Sequence, residues 1–402
     1  MLTKTPMTAL ERRVVAALAL LYSFRMLGLF MVLPLLALYA ADMPGAAPLA
    51  IGLALGAYGA TQALLQIPLG WLSDRIGRKP VILAGLALFA AGSVVAALAD
   101  HVAVIVLGRA LQGAGAISSS VMALAADATS SEQRTKAMAV IGISIGLSFA
   151  LAMVLGPLLA ASGGLGAVFW CTAALALVGM AIVMFAIPRT AVQHHDGVGA
   201  SRAMLGPVLR DGALQRLYGS VFVLHLLMTA AFLVIPAALE DRLGLARDHH
   251  WRAYLPVLGA SLVVMYPFMH LGERRQQLGL ALRGAILVLV AALGLLIIAS
   301  HSLVLYVALA LFFGAVNYLE ATLPSLVSKS VASRGRGTAL GVFATCQFLG
   351  AFMGGALGGW ILGLGGAPAL LGLVLFLGAL WLQLVWRAGT APAPLAPKIE
   401  AS

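Results

Sequence analysis

The sequence predicts an all-α membrane protein with twelve transmembrane helices in two halves of six. Of its 402 residues, 62% are hydrophobic and only 10% are charged, whereas soluble domains are about half apolar and a quarter charged. Because a helix needs about 20 apolar residues to cross a bilayer, the chain accommodates on the order of twelve crossings and no sizeable soluble domain. A secreted or cytosolic enzyme is therefore excluded.

Twelve apolar runs separated by short polar breaks are the predicted spans. The first six cover residues 14–41, 49–73, 80–99, 102–126, 136–162 and 165–187. The second six cover residues 214–240, 252–271, 280–299, 302–328, 337–362 and 367–386. These spans predict an amino-terminal half, a cytoplasmic linker, a carboxy-terminal half and a short cytoplasmic tail, at residues 1–187, 188–213, 214–387 and 388–402.

Basic residues are unevenly distributed among the predicted loops. With the amino terminus inside, 20 of the 25 Lys and Arg residues are cytoplasmic, three are external, and Arg25 and Arg109 lie within spans. An excess of Lys and Arg in cytoplasmic loops is the usual orientation signal of membrane proteins. It predicts that both termini are cytoplasmic, and it explains the net charge of +11 without a nucleic-acid partner.

The two halves resemble each other in sequence. The segment Arg134-Thr-Lys-Ala-Met recurs 202 residues later as Arg336-Gly-Thr-Ala-Leu, and the segment from Pro68 to Arg75 recurs 199 residues later. Repeated six-helix halves are typical of secondary transporters, which bind substrate near the bilayer midplane between the repeats. The repeat therefore favours a transporter.

The loop after span 2 carries the most specific motif, Gly-Trp-Leu-Ser-Asp-Arg-Ile-Gly-Arg-Lys-Pro at 70–80. Gly70 permits close helix packing, Gly77 permits a tight turn, and Pro80 suits the first turn of a helix. The string resembles the signature loop of the major facilitator superfamily, G-x-x-x-D-R-x-G-R-[KR]. Its gating residues here are Gly70, Asp74, Arg75, Gly77, Arg78 and Lys79.

The resemblance implies a charge relay. In that superfamily the aspartate and the second arginine of the loop interact with an acid at the cytoplasmic end of helix 4. In this sequence the relay would consist of Asp74, Arg78 and Asp127, and it would hold the outward-facing state until protonation loosens it. The second copy of the loop, around Glu273, lacks counterparts of Gly77 and Arg78.

Two further motifs extend the resemblance. Span 4 contains Arg109-x-x-Gln-Gly-x-Gly, similar to the superfamily's R-x-x-Q-G-x-G, and span 5 contains Gly156-Pro157, similar to the kink motif of its antiporters. Small-residue stripes at Gly142 and Gly146, and from Gly350 to Gly358, predict close helix packing. With the segments at 25–34 and 312–320, the chain is similar to the YajR-like branch of the twelve-span drug:proton antiporters, without the additional C-terminal domain of some members.

Ionisable residues inside spans are the proton-coupling candidates, since a charge in hydrocarbon is costly and usually functional. They are Glu320, His225, Arg25 and Arg109. A hydrogen-bonded structural role for His225 is an open alternative. Asn317 lies three residues before Glu320 and so on the same helix face. The candidates for lining the substrate cavity are Asn317, Gln62 and Gln347.

These observations predict a monomeric proton-coupled antiporter that exports small amphipathic compounds across the bacterial inner membrane by alternating access. Its expected partners are a small-molecule substrate, protons and the lipid bilayer. Alternatives are a proton-coupled metabolite or sugar transporter, including an importer, and a polytopic membrane enzyme. The enzyme is disfavoured because the sequence offers no clustered catalytic pair. No cofactor, metal or ATP is expected, since neither metal-ligand spacing nor a phosphate-binding loop occurs.

Overall fold

The computed structural model describes residues 7–188, 202–331 and 335–387, which are almost entirely helical and include no strand. The α-helices are α1 (Ala9–Val32), α2 (Leu36–Ala41), α3 (Pro48–Ile76), α4 (Arg78–Ala97), α5 (Val102–Ala114), α6 (Ser118–Asp127), α7 (Ser131–Phe185), α8 (Arg202–Arg210), α9 (Gly212–Ala231), α10 (Ile235–Leu243), α11 (Trp251–Met269), α12 (Leu278–Ile298), α13 (Ser302–Ser330) and α14 (Arg336–Arg387). A 3₁₀ turn (Arg247–His249) precedes α11 and a π turn (His270–Arg274) follows it.

Ten helical segments in the described ranges are long and apolar enough to cross a membrane. Helices α7 and α14 have 55 and 52 residues, which corresponds to about 80 Å if straight, far more than the roughly 30 Å hydrocarbon core. Each consists of two helices joined at a glycine pair, Gly163–Gly164 and Gly365–Gly366, where φ of the second glycine is +62° or +68°. The predicted all-α membrane fold is confirmed, with twelve crossings in the described residues.

Three spans that the sequence predicts as single helices contain a break. Span 1 is divided between α1 and α2 around Pro34, and span 7 between α9 and α10 just before Pro236, because proline lacks the amide hydrogen that continues a helix. Span 4 is divided between α5 and α6 after Gly115. Pro34 and Pro236 are 202 residues apart, as are Gly163 and Gly365, so the sequence repeat is also a repeat of backbone breaks.

The predicted linker at 188–213 contains α8, which apolar periodicity had not indicated. Val208 of α8 is fully buried, and the Asp211 carboxylate caps α9 by accepting hydrogen bonds from the backbone amides of Ala213 and Leu214 at 2.8 and 3.0 Å. The rest of the linker, and the tail at 388–402, lie outside the described residues. The boundaries of the two halves stay a prediction.

Successive spans run in opposite directions, so their ends lie on two opposite faces of the molecule. We call the end that carries the α3–α4 turn the Asp74 face, and the opposite end, beyond α2, the Asp42 face. Near the Asp42 face, α3 and α14 pack backbone against backbone. A Cβ atom on Gly52 would lie 2.2 Å from the Gly355 carbonyl oxygen, and one on Gly359 would lie 2.5 Å from the Pro48 carbonyl oxygen. Only glycine therefore permits this approach.

The small-residue stripe of α14 also packs against α9, as predicted. A Cβ atom on Gly350 or Gly354 would lie 2.2 or 2.3 Å from a carbonyl oxygen of α9. The same expectation is wrong for Gly142 and Gly146 of α7, where an added Cβ would meet no atom within 4 Å. Spacing alone did not distinguish a packed helix face from an open one.

Candidate functional site

The predicted charge relay is present in the structure. Arg78 forms an ion pair with Asp74, and its Nε lies 3.2 Å from Oδ2 of Asp127. The side chains of Arg78 and Asp127 are 10% and 4% exposed, whereas that of Asp74 is 33% exposed. The Arg78 guanidinium also donates to Ser73 Oγ at 2.8 Å, a partner the motif did not indicate. Arg78 therefore pairs with both acids, the buried Asp127 and the one-third-exposed Asp74.

The turn between α3 and α4 assembles this relay. Gly77 has φ +98°, a value that favours glycine, and places Arg78 at the start of α4. A Cβ atom on Gly70 would lie 3.1 Å from Ser119 Oγ, so α6, which ends at Asp127, packs closely on α3. Lys79 donates to the Ile187 backbone carbonyl, and Arg75 is exposed.

The relay residues all belong to helices α3, α4 and α6 of the amino-terminal half. The resemblance implied that the relay holds an outward-facing state. Here it is formed while α3 and α14 are tightly packed near the Asp42 face. Formation of the relay therefore does not require the Asp42 face to be open. The side chain of Glu273, in the second copy of the loop, lies outside the described part.

Arg25 of α1 is only 2% exposed, and its guanidinium is held by neutral acceptors. It donates at 3.0–3.1 Å to Ser118 Oγ, the Tyr58 hydroxyl, Gln62 Oε1 and the Gly115 carbonyl. The Gly115 carbonyl is available because α5 ends at this point and leaves its last carbonyls without helical partners. The break in span 4 thus creates a ligand for Arg25, and Gln62 serves as a ligand rather than a free cavity residue.

Arg109 of α5 is 1% exposed. Its Nη1 donates to Gln112 Oε1 at 2.8 Å and its Nε to the Ala54 carbonyl at 3.3 Å. Its guanidinium carbon lies 5.0 Å from the centre of the Tyr58 ring. A buried arginine costs about 2.5–3.5 kcal/mol on insertion scales, and these contacts offset that cost. In the described residues, neither Arg25 nor Arg109 forms an ion pair, and both contact Tyr58, which sequence reasoning missed.

Glu320 and His225 meet in the carboxy-terminal half. His225 Nε2 lies 2.8 Å from Glu320 Oε1 and 2.8 Å from Gln347 Nε2, and its Nδ1 lies 3.1 Å from the Val221 carbonyl. The side chain of His225 is 7% exposed and that of Glu320 is 37% exposed. Helices α9, α13 and α14 thus place three predicted residues in one cluster.

The Glu320 carboxyl and the Gln347 amide lie on the same side of the histidine ring. A carbonyl only accepts hydrogen bonds, so Nδ1 of His225 carries a hydrogen that it donates to the Val221 carbonyl. His225 Nε2 then faces both the Glu320 carboxyl and the Gln347 amide, each at 2.8 Å. Nε2 can donate to Glu320 when it is protonated, or accept from the Gln347 amide when it is not.

Asn317 and Glu320 lie on one face of α13, and both are partly exposed while the two residues between them are buried. Asn317 Nδ2 donates to Ser261 Oγ of α11 at 3.2 Å, so it contacts a different helix from Glu320.

Next to Gln347, the Phe348 ring packs on Tyr58 with their centres 5.8 Å apart. This contact connects the arginine sites of one half to the cluster of His225, Glu320 and Gln347 in the other.

The kink motif of span 5 behaves partly as expected. A Cβ atom on Gly156 would lie 2.9 Å from the Met31 carbonyl oxygen, so Gly156 permits close packing of α7 on α1. Helix α7 continues through Pro157, however, and its non-helical backbone is at Gly163 and Gly164. In this motif, the structural role of Gly156 is therefore clearer than that of Pro157.

An ion-pair contact between the two halves on the Asp42 face was not predicted. Arg247 forms an ion pair with Asp42 of the amino-terminal half, and its Nε lies 2.9 Å from Glu240 Oε1 of the carboxy-terminal half. Its guanidinium carbon also lies 5.5 Å from the centre of the Tyr39 ring. These polar residues follow apolar spans, where charge is common, so the sequence carried no signal for their contact.

Comparison with known proteins agrees with this architecture. A family model described as Major Facilitator Superfamily matches residues 18–355. The chain belongs to the major facilitator superfamily. It is 42% identical to the inner membrane transport protein YajR of Escherichia coli K12, over 98% of this chain and 87% of that protein. It is 28% identical to the multidrug resistance protein MdtH of Aeromonas hydrophila, over 83% of each chain.

Solved structures share the fold at low sequence identity. A bacterial homologue of the human lysosomal transporter Spinster, in an inward-facing and occupied conformation, superposes with a TM-score of 0.73 at 15% identity, covering 96% of this chain and 100% of that one. The human organic anion transporter MFSD10 superposes with a TM-score of 0.68 at 22% identity, covering 94% and 100%. These structures agree with the fold of the chain, and its family and its similarity to YajR identify it as a multi-pass membrane transporter. In the described residues, no group of His, Cys, Asp and Glu could hold a metal ion.

Proposed function

We propose that this transporter is a monomeric proton-coupled antiporter that exports small amphipathic compounds across the bacterial inner membrane by alternating access. The observation that carries the proposal is the His225–Glu320 pair, with 2.8 Å between Nε2 and Oε1. A single proton on a pair inside the bundle provides a group whose charge changes during the cycle. Arg25 and Arg109, which have neutral partners, keep their charges and serve to position α3 and α5.

Exchange follows when proton and substrate compete for Glu320. The carboxylate is 37% exposed, so a polar or cationic group of a substrate can reach it once the proton leaves. Rings from both halves lie close to each other, with 5.1 Å between the centres of Phe30 and Phe149 and 6.0 Å between those of Phe149 and Phe313. These rings suit the apolar part of an amphipathic compound.

Alternating access requires the two faces to open in turn. The glycine contacts of α3 with α14 and the Arg247–Asp42 ion pair join the halves near the Asp42 face. We propose that this packed face is periplasmic and that Glu320 exchanges its proton with the cytoplasm in this conformation.

The orientation can be tested by cysteine labelling. Both termini are proposed to be cytoplasmic, which places the exposed residue Asp100 outside and the exposed residue Arg275 inside. In a background with Cys171 and Cys346 replaced by Ser, a membrane-impermeant maleimide is expected to label Asp100→Cys in intact cells and to label Arg275→Cys only after permeabilisation. The reverse pattern would contradict the topology.

The transport function can be tested in proteoliposomes that contain the purified protein and an internal pH dye. A panel of amphipathic cations, organic anions, sugars and nucleosides is added under an imposed pH gradient. We expect the gradient to drive uptake or release of an amphipathic compound and to be dissipated by it. A response restricted to sugars or to another metabolite would favour the metabolite transporter, and flux that ignores the gradient would overturn proton coupling.

A further inference from the structure

An apolar slot inside the carboxy-terminal half extends inward from the Asp74 face. Its lining reaches Leu226 and Leu319, the sequence neighbours of His225 and Glu320, but includes neither His225 nor Glu320. Its volume is about 340 Å³, and its walls are α9, α12, α13 and the part of α14 after Gly366. Trp381 forms part of one wall, and its indole nitrogen donates to Ser220 Oγ at 3.2 Å. A Cβ atom on Gly219 would meet no atom within 4 Å, so this glycine borders the empty space.

The slot has the length of one leaflet of a bilayer. Along α9 its lining extends from Ala213 to Leu226, thirteen residues that rise about 20 Å. Half of a bilayer of about 40–45 Å, head-group regions included, is about the same distance. Leu380 and Leu384 on its border are 41% and 58% exposed, so the slot opens sideways toward lipid. An acyl chain parallel to the membrane normal fits these dimensions.

The entrance of the slot is positively charged. Arg216 and Arg283 line it near the ends of α9 and α12 that lie at the Asp74 face, and no acidic residue lines it. The Arg283 guanidinium carbon lies 5.4 Å from the centre of the Trp386 ring. In the described part of the chain, neither guanidinium forms an ion pair, so both can receive an anionic group. Basic pockets between transmembrane helices on the cytoplasmic side suit anionic lipid head groups.

We propose that this slot binds one anionic phospholipid of the cytoplasmic leaflet. Its phosphodiester contacts Arg216 and Arg283, and an acyl chain lies along Gly219 toward Leu226, against Trp381. The assignment of the leaflet rests on the proposed topology, but binding itself does not, and neither depends on proton coupling. The lipid would fill the empty space bordered by α9, α12, α13 and the part of α14 after Gly366, and so it would stabilise this half.

The experiment measures lipid retention by native mass spectrometry of delipidated protein in detergent, with dioleoyl phosphatidylglycerol, cardiolipin or dioleoyl phosphatidylcholine added at equal concentrations. We expect the wild type to retain one anionic lipid in clear preference to phosphatidylcholine. Arg216→Gln combined with Arg283→Gln should weaken retention at least about tenfold, as expected when two charge-assisted contacts are lost. Gly219→Phe, which keeps both charges, should block the acyl chain and weaken retention similarly. The matched control, Arg275→Gln, removes an exposed arginine outside the slot and should bind as the wild type does.

Three results would overturn the proposal: equal retention of phosphatidylcholine, wild-type retention by the double arginine variant, or wild-type retention by Gly219→Phe. Monodisperse elution of each variant is required before its binding is compared. Because the arginine variant removes charge and the glycine variant fills space, one of them still tests the site if the other does not fold. Comparing phosphatidylglycerol with cardiolipin shows which head group supplies the phosphate.

Discussion

Glu320→Gln is expected to reduce proton-coupled transport to background while the protein still inserts and folds. Glutamine keeps the size of the side chain but cannot bind or release a proton. His225 would also lack the carboxylate that stabilises a proton on its ring, and substrate would no longer compete with a proton for residue 320. The measurement is substrate-induced proton release from proteoliposomes, together with substrate flux under a pH gradient.

The matched control for this variant is Glu240→Gln. Glu240 also contacts a basic side chain, Arg247, but it lies at the Asp42 face outside the cluster of His225, Glu320 and Gln347. It should retain proton coupling. His225→Asn, which leaves the carboxylate in place, should weaken proton-coupled transport rather than abolish it, because the carboxylate that substrate reaches is still present. If Glu320→Gln protein still releases protons when substrate is added, the coupling group lies elsewhere.

Arg78→Gln should also abolish transport, and in contrast to Glu320→Gln it should lower thermal stability. Removing the arginine leaves Asp74 and the 4%-exposed Asp127 without their shared cation. Loss of one partner from a buried ion pair costs about 3–5 kcal/mol. A two-state conformational equilibrium shifts by tenfold for about 1.4 kcal/mol. A loss of this size would therefore hold nearly all of the protein in one conformation. Transport rate and melting temperature measured on the same preparation test both effects.

Two neighbouring substitutions make this prediction specific. Arg75→Gln removes the adjacent, exposed arginine of the same loop, and it should change transport and stability little. Asp74→Asn should have an intermediate effect, because Asp74 is one-third exposed and water partly replaces its ion pair. Wild-type flux in both Arg78→Gln and Asp74→Asn would show that the relay has no role in the transport cycle.

Part of the candidate site could be predicted because its signal is local. Asp74, Gly77 and Arg78 lie within five consecutive residues, and Gly77 permits the tight turn that brings the acid and the base together. Asp127 was assigned through the family motif rather than through spacing. Glu320 stood out because an acid inside an apolar span is rare. In each case either the composition of a span or a contiguous motif carried the information.

The partners of these residues could not be predicted in the same way. His225 and Glu320 are 95 residues apart in sequence, and only the packing of α9, α13 and α14 brings their side chains within 2.8 Å. One acceptor of Arg25 is the Gly115 carbonyl, which lacks a helical partner because α5 ends there. The apolar periodicity of the sequence does not indicate this helix break. Arg247 binds Asp42 across 205 residues, and nothing in either local sequence indicates the contact.

The sequence by itself determined the membrane fold, the twelve crossings and the repeat, because hydrophobicity and helix length must match the bilayer at each span separately. The tertiary structure decided which polar groups pair with each other, which glycines join the two halves and where a lipid-sized slot remains. Gly142 and Gly355 show the difference: both are small residues in apolar helices, yet one borders open space and the other contacts the opposite half. Such choices depend on the relative rotation and tilt of helices, which are set by the sum of many weak contacts between distant segments.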